Sequence, residues 1–144
     1  MRGIKNSTNK PVLLITATID PGDYTSLLAP YNVDHRIEEY VQSLLFWLNL
    51  NPRPYSGIIF CENSGSSLSE IKDMLKVRVS DEQILAIEWL SFKGNQRPIG
   101  MHYGYSELGI LDYAVENSLL LRNSQYFIKV TAVSYTHLTL PTKA

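Results

Sequence analysis

Apolar residues in this chain come in short dense runs that alternate with longer stretches of periodic spacing. The first run, "PVLLITATI" at residues 11–19, lies between Lys10 and the breaker series Asp20, Pro21, Gly22. A brief continuous apolar run with such boundaries predicts a buried strand. A loop over residues 20–32 follows, carrying Pro21, Gly22 and Pro30. In "VDHRIEEYVQSLLFWLNLNP", Ile37, Tyr40, Val41, Leu44, Leu45 and Leu48 recur at three- and four-residue steps. That spacing predicts one apolar face of a helix, with Asp34 as its cap and Pro52 and Pro54 as its stop.

The second run, "GIIFCENSG" at 57–65, predicts a strand with a polar end. "SLSE" at 67–70 matches a capping box and predicts a short helix through Ile71, Met74 and Leu75. "ILAIEWLSF" at 84–92 predicts a third strand, although its first residues also fit a helix begun at Ser80. "SELGILDYAVENSLLLRNS" predicts a helix with a stripe of Leu108, Leu111, Val115 and Leu119, widened by Ile110 and Ala114. "QYFIKVT" predicts a fourth strand, buried like the others.

The order is strand, helix, strand, helix, strand, helix, strand. Helix-length crossovers between short apolar strands predict an α/β fold: a mostly parallel sheet with helices on its faces. Right-handed crossovers bring all four strand C-termini to one edge, where ligands of such sheets bind.

Composition narrows the function. The chain has 144 residues, 44% of them hydrophobic and 19% charged, with a formal net charge of −1. That suits a single globular domain with a core. Near-neutral charge argues against nucleic acid as the main partner. A single cysteine, Cys61, excludes an intrachain disulfide and fits a reducing, cytoplasmic compartment. Lying in an apolar strand, it is expected to be a core residue rather than a nucleophile. The polar start has no signal-peptide pattern, and no apolar run is long enough to span a bilayer.

Candidate chemistry gathers after each strand. Thr16, Thr18 and Asp20 follow the first; Glu62, Asn63, Ser64 and Gly65 follow the second. Lys93, Gly94 and Asn95 follow the third, and Lys129 and Thr131 close the fourth. Gly104, Tyr105 and Glu107 precede or open the last helix, whose N-terminus suits an anion. Carboxylates and amides there can accept from base or ribose donors, and lysines can meet phosphate. Each position also has a plain structural reading. "ENSG" and "KGN" are ordinary turn chemistry, and Glu107 suits a helix first turn through the dipole. No G-x-G-x-x-G follows the first strand, no P-loop is present, and no Cys/His spacing suggests a metal.

Five segments together carry a resemblance: "ITATIDPGDY", "IIFCENSG", "LSFKGNQRPIG", "YGYSELGILDYAVENS" and "YFIKVT". They resemble the N-terminal half of bacterial glycosyltransferase-like proteins of surface-polysaccharide loci (capsule, O-antigen, lipopolysaccharide). The resemblance covers roughly residues 11–131. It implies a Rossmann-like, GT-A-like half-domain that binds a nucleotide-sugar donor and serves a glycan acceptor. Thr16, Thr18, Asp20, Glu62 and Asn63 fall where such enzymes hold base and ribose. Ser64, Lys93, Gly104, Tyr105, Glu107, Lys129 and Thr131 complete the expected nucleotide-sugar set, with Lys93, Lys129 and the helix start as phosphate contacts. GT-A enzymes often carry a DxD motif for Mg or Mn after the fourth strand; "KVT" stands here instead, so no cofactor is evident and a divalent Mg or Mn is left open. The implied location is cytoplasmic, with peripheral association at the inner membrane face left open. The alternative is a non-catalytic α/β binding or accessory module of the same kind of locus.

The end of the chain reads differently. "VSYTHLTLPT" at residues 133–142 resembles the in-frame translation of a mosaic-end adapter from transposase-based sequencing libraries. The family's last strand continues as a "KxTGR"-like segment, of which only "FIKVT" is present. The expected organisation is a polar segment at 1–10, an incomplete α/β half-domain at 11–131 and a non-native tail at 132–144. A chain so truncated is expected to be an inactive, aggregation-prone fragment of the enzyme.

Overall fold

In the computed structural model, residues 10–22, 33–94 and 103–131 are described. They form four strands and five helices in the order β1 (Val12–Ala17), α1 (Val33–Leu48), β2 (Gly57–Glu62), α2 (Ser69–Lys76), α3 (Asp81–Ile84), β3 (Ile87–Ser91), α4 (Tyr103–Asn117), α5 (Leu119–Arg122) and β4 (Phe127–Thr131). The strands make one parallel sheet in the order β3-β2-β1-β4. This is the expected α/β architecture, with a Rossmann-like sheet and helices on both faces. The predicted loop at 20–32 and the tail at 132–144 lie largely or wholly outside the described residues.

β1 and β2 are buried along their whole length. Both faces are covered, which is why their sequences run apolar without alternation. Side chains still alternate between faces. Leu13, Ile15, Ile58 and Phe60 pack with Ile37, Val41, Leu44 and Leu48 of α1 and with Ile71 and Leu75 of α2. Val12, Leu14, Ile59 and Cys61 pack with Ile110 and Ala114 of α4 on the other side. Each fully buried Leu, Ile or Phe contributes roughly 1.5–3 kcal/mol. Deep burial makes Cys61 a core residue, and desolvation pushes its thiol pKa up to about 12.

Several local expectations change. Asp34 sits inside the first turn of α1, not at its cap. The "SLSE" box does not form: α2 begins after Leu68 with no side-chain cap. Ser67 instead turns its hydroxyl to the Ser69 N–H at 3.2 Å. The capping box belongs to α3, where Ser80 and Gln83 exchange bonds, so Ile84 ends a helix and β3 starts at Ile87. The last long helix starts at Tyr103 and breaks at Ser118, which caps α5.

Two corrections matter more. The predicted stripe of the last helix is split: Leu108 and Leu119 are each 61% exposed and Val115 58%, while Leu111 and the widening residues Ile110 and Ala114 make the contact with the sheet side. β4 is an edge strand, not a buried one. It pairs with β1 alone among the described strands, and its Ile128 is 50% exposed.

Candidate functional site at the strand ends

The chain lays down β2 and β3 on one side of β1, then returns to place β4 on the other. The crossovers therefore reverse between β1 and β4. In open parallel sheets the crevice beyond the strand C-termini at such a reversal is the usual ligand site. Here it holds a cleft of about 140 Å³. Thr16 lines it from β1, Thr18 from just beyond that strand, Arg36 and Tyr40 from α1, Glu107 from α4 and Thr131 from β4.

Register and alternation explain the wall nearest α4. Thr16 and Thr131 are direct partners across β1 and β4. Residues 12, 14 and 16 of β1 share one face, the face α4 covers. The Thr16 hydroxyl donates to Glu107 Oε2 at 3.0 Å. Lys129 Nζ lies 2.7 Å from the same oxygen and donates to the Thr131 hydroxyl at 3.3 Å. Lys129 and Glu107 are each about one-third exposed, 34% and 32%. The pair therefore adds about 1 kcal/mol of stability or less. Its main effect is to fix Glu107 over the cleft.

The opposite wall is built on one phenol. Tyr40 donates its hydroxyl to the Thr18 carbonyl at 2.7 Å and accepts the Thr18 N–H at 3.0 Å. Arg36 Nη1 donates to the same carbonyl at 2.9 Å and to the Tyr40 oxygen at 3.4 Å. Burial raises the Tyr40 pKa above its usual value, with the Thr18 backbone bond and Arg36 opposing that shift.

Glu62 is a hub beneath the site. It is 0% exposed. Its Oε2 accepts from the N–H of Ile19 at 2.9 Å, from the N–H of Ser64 at 2.7 Å and from the Ser64 hydroxyl. Its Oε1 accepts from the Ser66 N–H at 3.2 Å and the Ser91 hydroxyl at 3.1 Å. One carboxylate thus joins the segments that follow β1 and β2 to the end of β3. Both Glu62 and Ser64 are committed to that network, and Ser64 also takes the Asp20 N–H at 3.1 Å.

Asn63 behaves differently. Its Oδ1 accepts the Thr18 hydroxyl at 2.6 Å, while its Nδ2 is buried with no hydrogen-bond partner. Asn63 is only 1% exposed. An unpaired buried donor costs roughly 1–3 kcal/mol unless something outside the protein accepts from it.

Asp20, Lys93 and Tyr105 are not among the residues that line the cleft. Asp20 is exposed and accepts the Gly22 N–H at 3.1 Å in a local turn. Lys93 is exposed beyond β3, where it bridges Ser64 on the far side of the sheet from β4. Tyr105 is 47% exposed. Gly104 lies in the first turn of α4. Among the described residues, no three or more His, Cys, Asp or Glu side chains are grouped to hold a metal, and no helix is long and apolar enough to cross a membrane.

Sequence reasoning missed Arg36, Tyr40, Ser66 and Ser91. A signal existed for the first two. A crossover helix returns antiparallel to its strand, so its first turns stand over the strand C-termini. Arg36 and Tyr40 are four residues apart and share that side of α1.

No family model, curated protein or solved structure matches this chain.

Proposed function

We propose that the chain is the donor-binding half of a glycosyltransferase that uses a nucleotide sugar in bacterial surface-polysaccharide synthesis. The observation that carries this reading is the cleft at the crossover reversal, where side chains from β1, α1, α4 and β4 meet. The resemblance of residues 11–131 to such enzymes supplies the substrate class. The unpaired Nδ2 of Asn63 beside Thr18 adds support, because it offers a donor that the protein leaves unused.

In this reading Thr16, Thr18 and Asn63 contact the nucleoside, and the first turn of α4 at Gly104 faces the diphosphate. Glycosyl transfer builds negative charge on the departing diphosphate, and fixed N–H dipoles stabilise it without reorganisation. Glu62 and Ser64 support the loops rather than the ligand. Their internal commitment is the observation that favours the competing reading of a non-catalytic module.

The test is thermal unfolding of this chain with UDP, GDP and CMP in turn. A nucleotide present at a hundredfold its Kd stabilises by about 2.7 kcal/mol, which is several degrees for a chain of this size. One nucleotide should act selectively. No shift with any of the three would overturn the donor-binding reading.

A further inference from the structure

We propose that the cleft between β1 and β4 is a diol subsite, which takes the vicinal hydroxyls of one sugar ring on Glu107 and Thr131. The inference rests on the nucleotide-sugar reading and narrows it to one part of the ligand.

The hydrogen-bond inventory of Glu107 leads to it. Oε2 is occupied twice, by Thr16 and by Lys129. Oε1 has no partner among the described residues, and the side chain is part-exposed on the cleft wall. An ionised carboxylate only accepts, so the free oxygen calls for a donor. Hydroxyl groups donate; phosphate oxygens at neutral pH do not. The one lysine at this place is already neutralised by the same carboxylate. Beside Oε1, across the cleft from Arg36, the carboxylate itself repels a phosphate oxygen and favours a neutral polyol held by charge-assisted bonds.

Thr131 supplies the complementary half. Its oxygen accepts from Lys129, which leaves its own proton to donate. Register sets Thr131 beside Thr16, so donor and acceptor stand on adjacent strands. Ala17 and Ile110 give the cleft an apolar floor, suited to the C–H face of a ring. Size agrees: about 140 Å³ is well below the ~300–1,000 Å³ of pockets that enclose a whole small ligand. A cleft of that size suits one ring.

The diol could belong to the nucleotide's ribose or to the transferred sugar. The experiment separates them. Affinities are measured by NMR titration of the chain with UDP, GDP and CMP, with their 2′-deoxy and 3′-deoxy forms, and with free glucose, galactose and N-acetylglucosamine. The proteins are wild type, Glu107→Gln and Thr131→Val; the last keeps a β-branched residue on an exposed edge and guards against a misfolded first variant. If the ribose is bound, deleting one of its hydroxyls weakens wild-type binding about tenfold or more, and both variants lose most of that discrimination. If the sugar is bound, deoxynucleotides match their parents, while a free hexose binds and both variants weaken it at least as much. A nucleotide that binds while hydroxyl deletions, hexoses and both variants all leave affinity within about twofold overturns the diol subsite and spares the donor-binding reading. Absence of binding by every nucleotide and every hexose overturns both.

Discussion

Glu62 and Ile19 belong to different strand ends, yet the Ile19 N–H donates to the wholly buried Glu62 carboxylate at 2.9 Å. That bond is one of five through which Glu62 holds the segments around the cleft. Replacing it by alanine strands the N–H groups of Ile19, Ser64 and Ser66, each at roughly 1–3 kcal/mol. Glu62→Ala should therefore lose at least about 3 kcal/mol in urea unfolding. Glu62→Gln should lose less, since it keeps one acceptor oxygen. A Glu62→Ala protein within about 0.5 kcal/mol of wild type would rule out the hub.

Tyr40 tests the other wall. Its ring packs edge-on against Phe60, with centroids 5.9 Å apart, and Tyr40→Phe keeps that contact. The substitution removes only the oxygen that serves both Thr18 backbone groups. We expect a loss of about 1–3 kcal/mol and faster amide exchange at Thr18. Unchanged exchange at that amide would contradict the assignment.

Cys61 gives the pH dependence. Burial is the largest cause of its raised pKa, with the nearby Glu62 and Glu88 charges adding to it. In the unfolded chain the thiol titrates near 9.0, and in the folded chain near about 12. Between those values the folded state holds a proton that the unfolded state has lost. Its contribution is thus fully present below pH 9 and is lost as pH rises toward 12. Stability should fall through that window in wild type, and the slope should flatten in Cys61→Ala. The folded thiol should also resist alkylation at pH 8, where ready modification would show that the strand opens.

Glu88 offers a site remote from the cleft. From β3 its carboxylate accepts from the Ser118 hydroxyl at 2.7 Å and from the N–H groups of Leu119 and Leu120 at 2.8 and 3.2 Å. It thereby caps α5 across the sheet. Glu88→Ala should cost about 1–2 kcal/mol and leave ligand affinity unaltered. A change in nucleotide affinity without a change in stability would show that the two regions are coupled.

The central strands were readable because two-sided burial writes itself as an unbroken apolar run. α1 was readable because its single buried stripe matches its periodicity. α4 was not, since it carries two apolar stripes and spacing alone favours the wrong one. Leu108, Val115 and Leu119 keep a helical spacing with Leu111, yet only Leu111 packs with the Ile110 and Ala114 that meet the sheet. "FIKVT" has the composition of a central strand, and only strand order makes it an edge. The strand-end rule did bring Thr16, Thr18 and Thr131 to the cleft. It could not foresee that Glu62 would turn inward, because the partners that hold it include Ile19 and Ser91, far away in sequence. A buried acceptor and a ligand contact look alike until those partners are known.

The pairing of Val12 with Phe127 joins the first of the described strands to the last. During synthesis β1 can gain β2 early, but its second flank waits until residues 127–131 emerge. Until residues 127–131 are made, β1 therefore presents a naked hydrogen-bonding edge on that flank, open to wrong partners. Closing it spans nearly the whole described chain, a long-range step of the kind that slows folding. The same late closure builds the cleft, so no ribosome-bound intermediate that lacks β4 holds Thr131 against Thr16. Whatever ligand the cleft takes can reward only a chain in which β4 has paired with β1, which ties occupancy to that pairing.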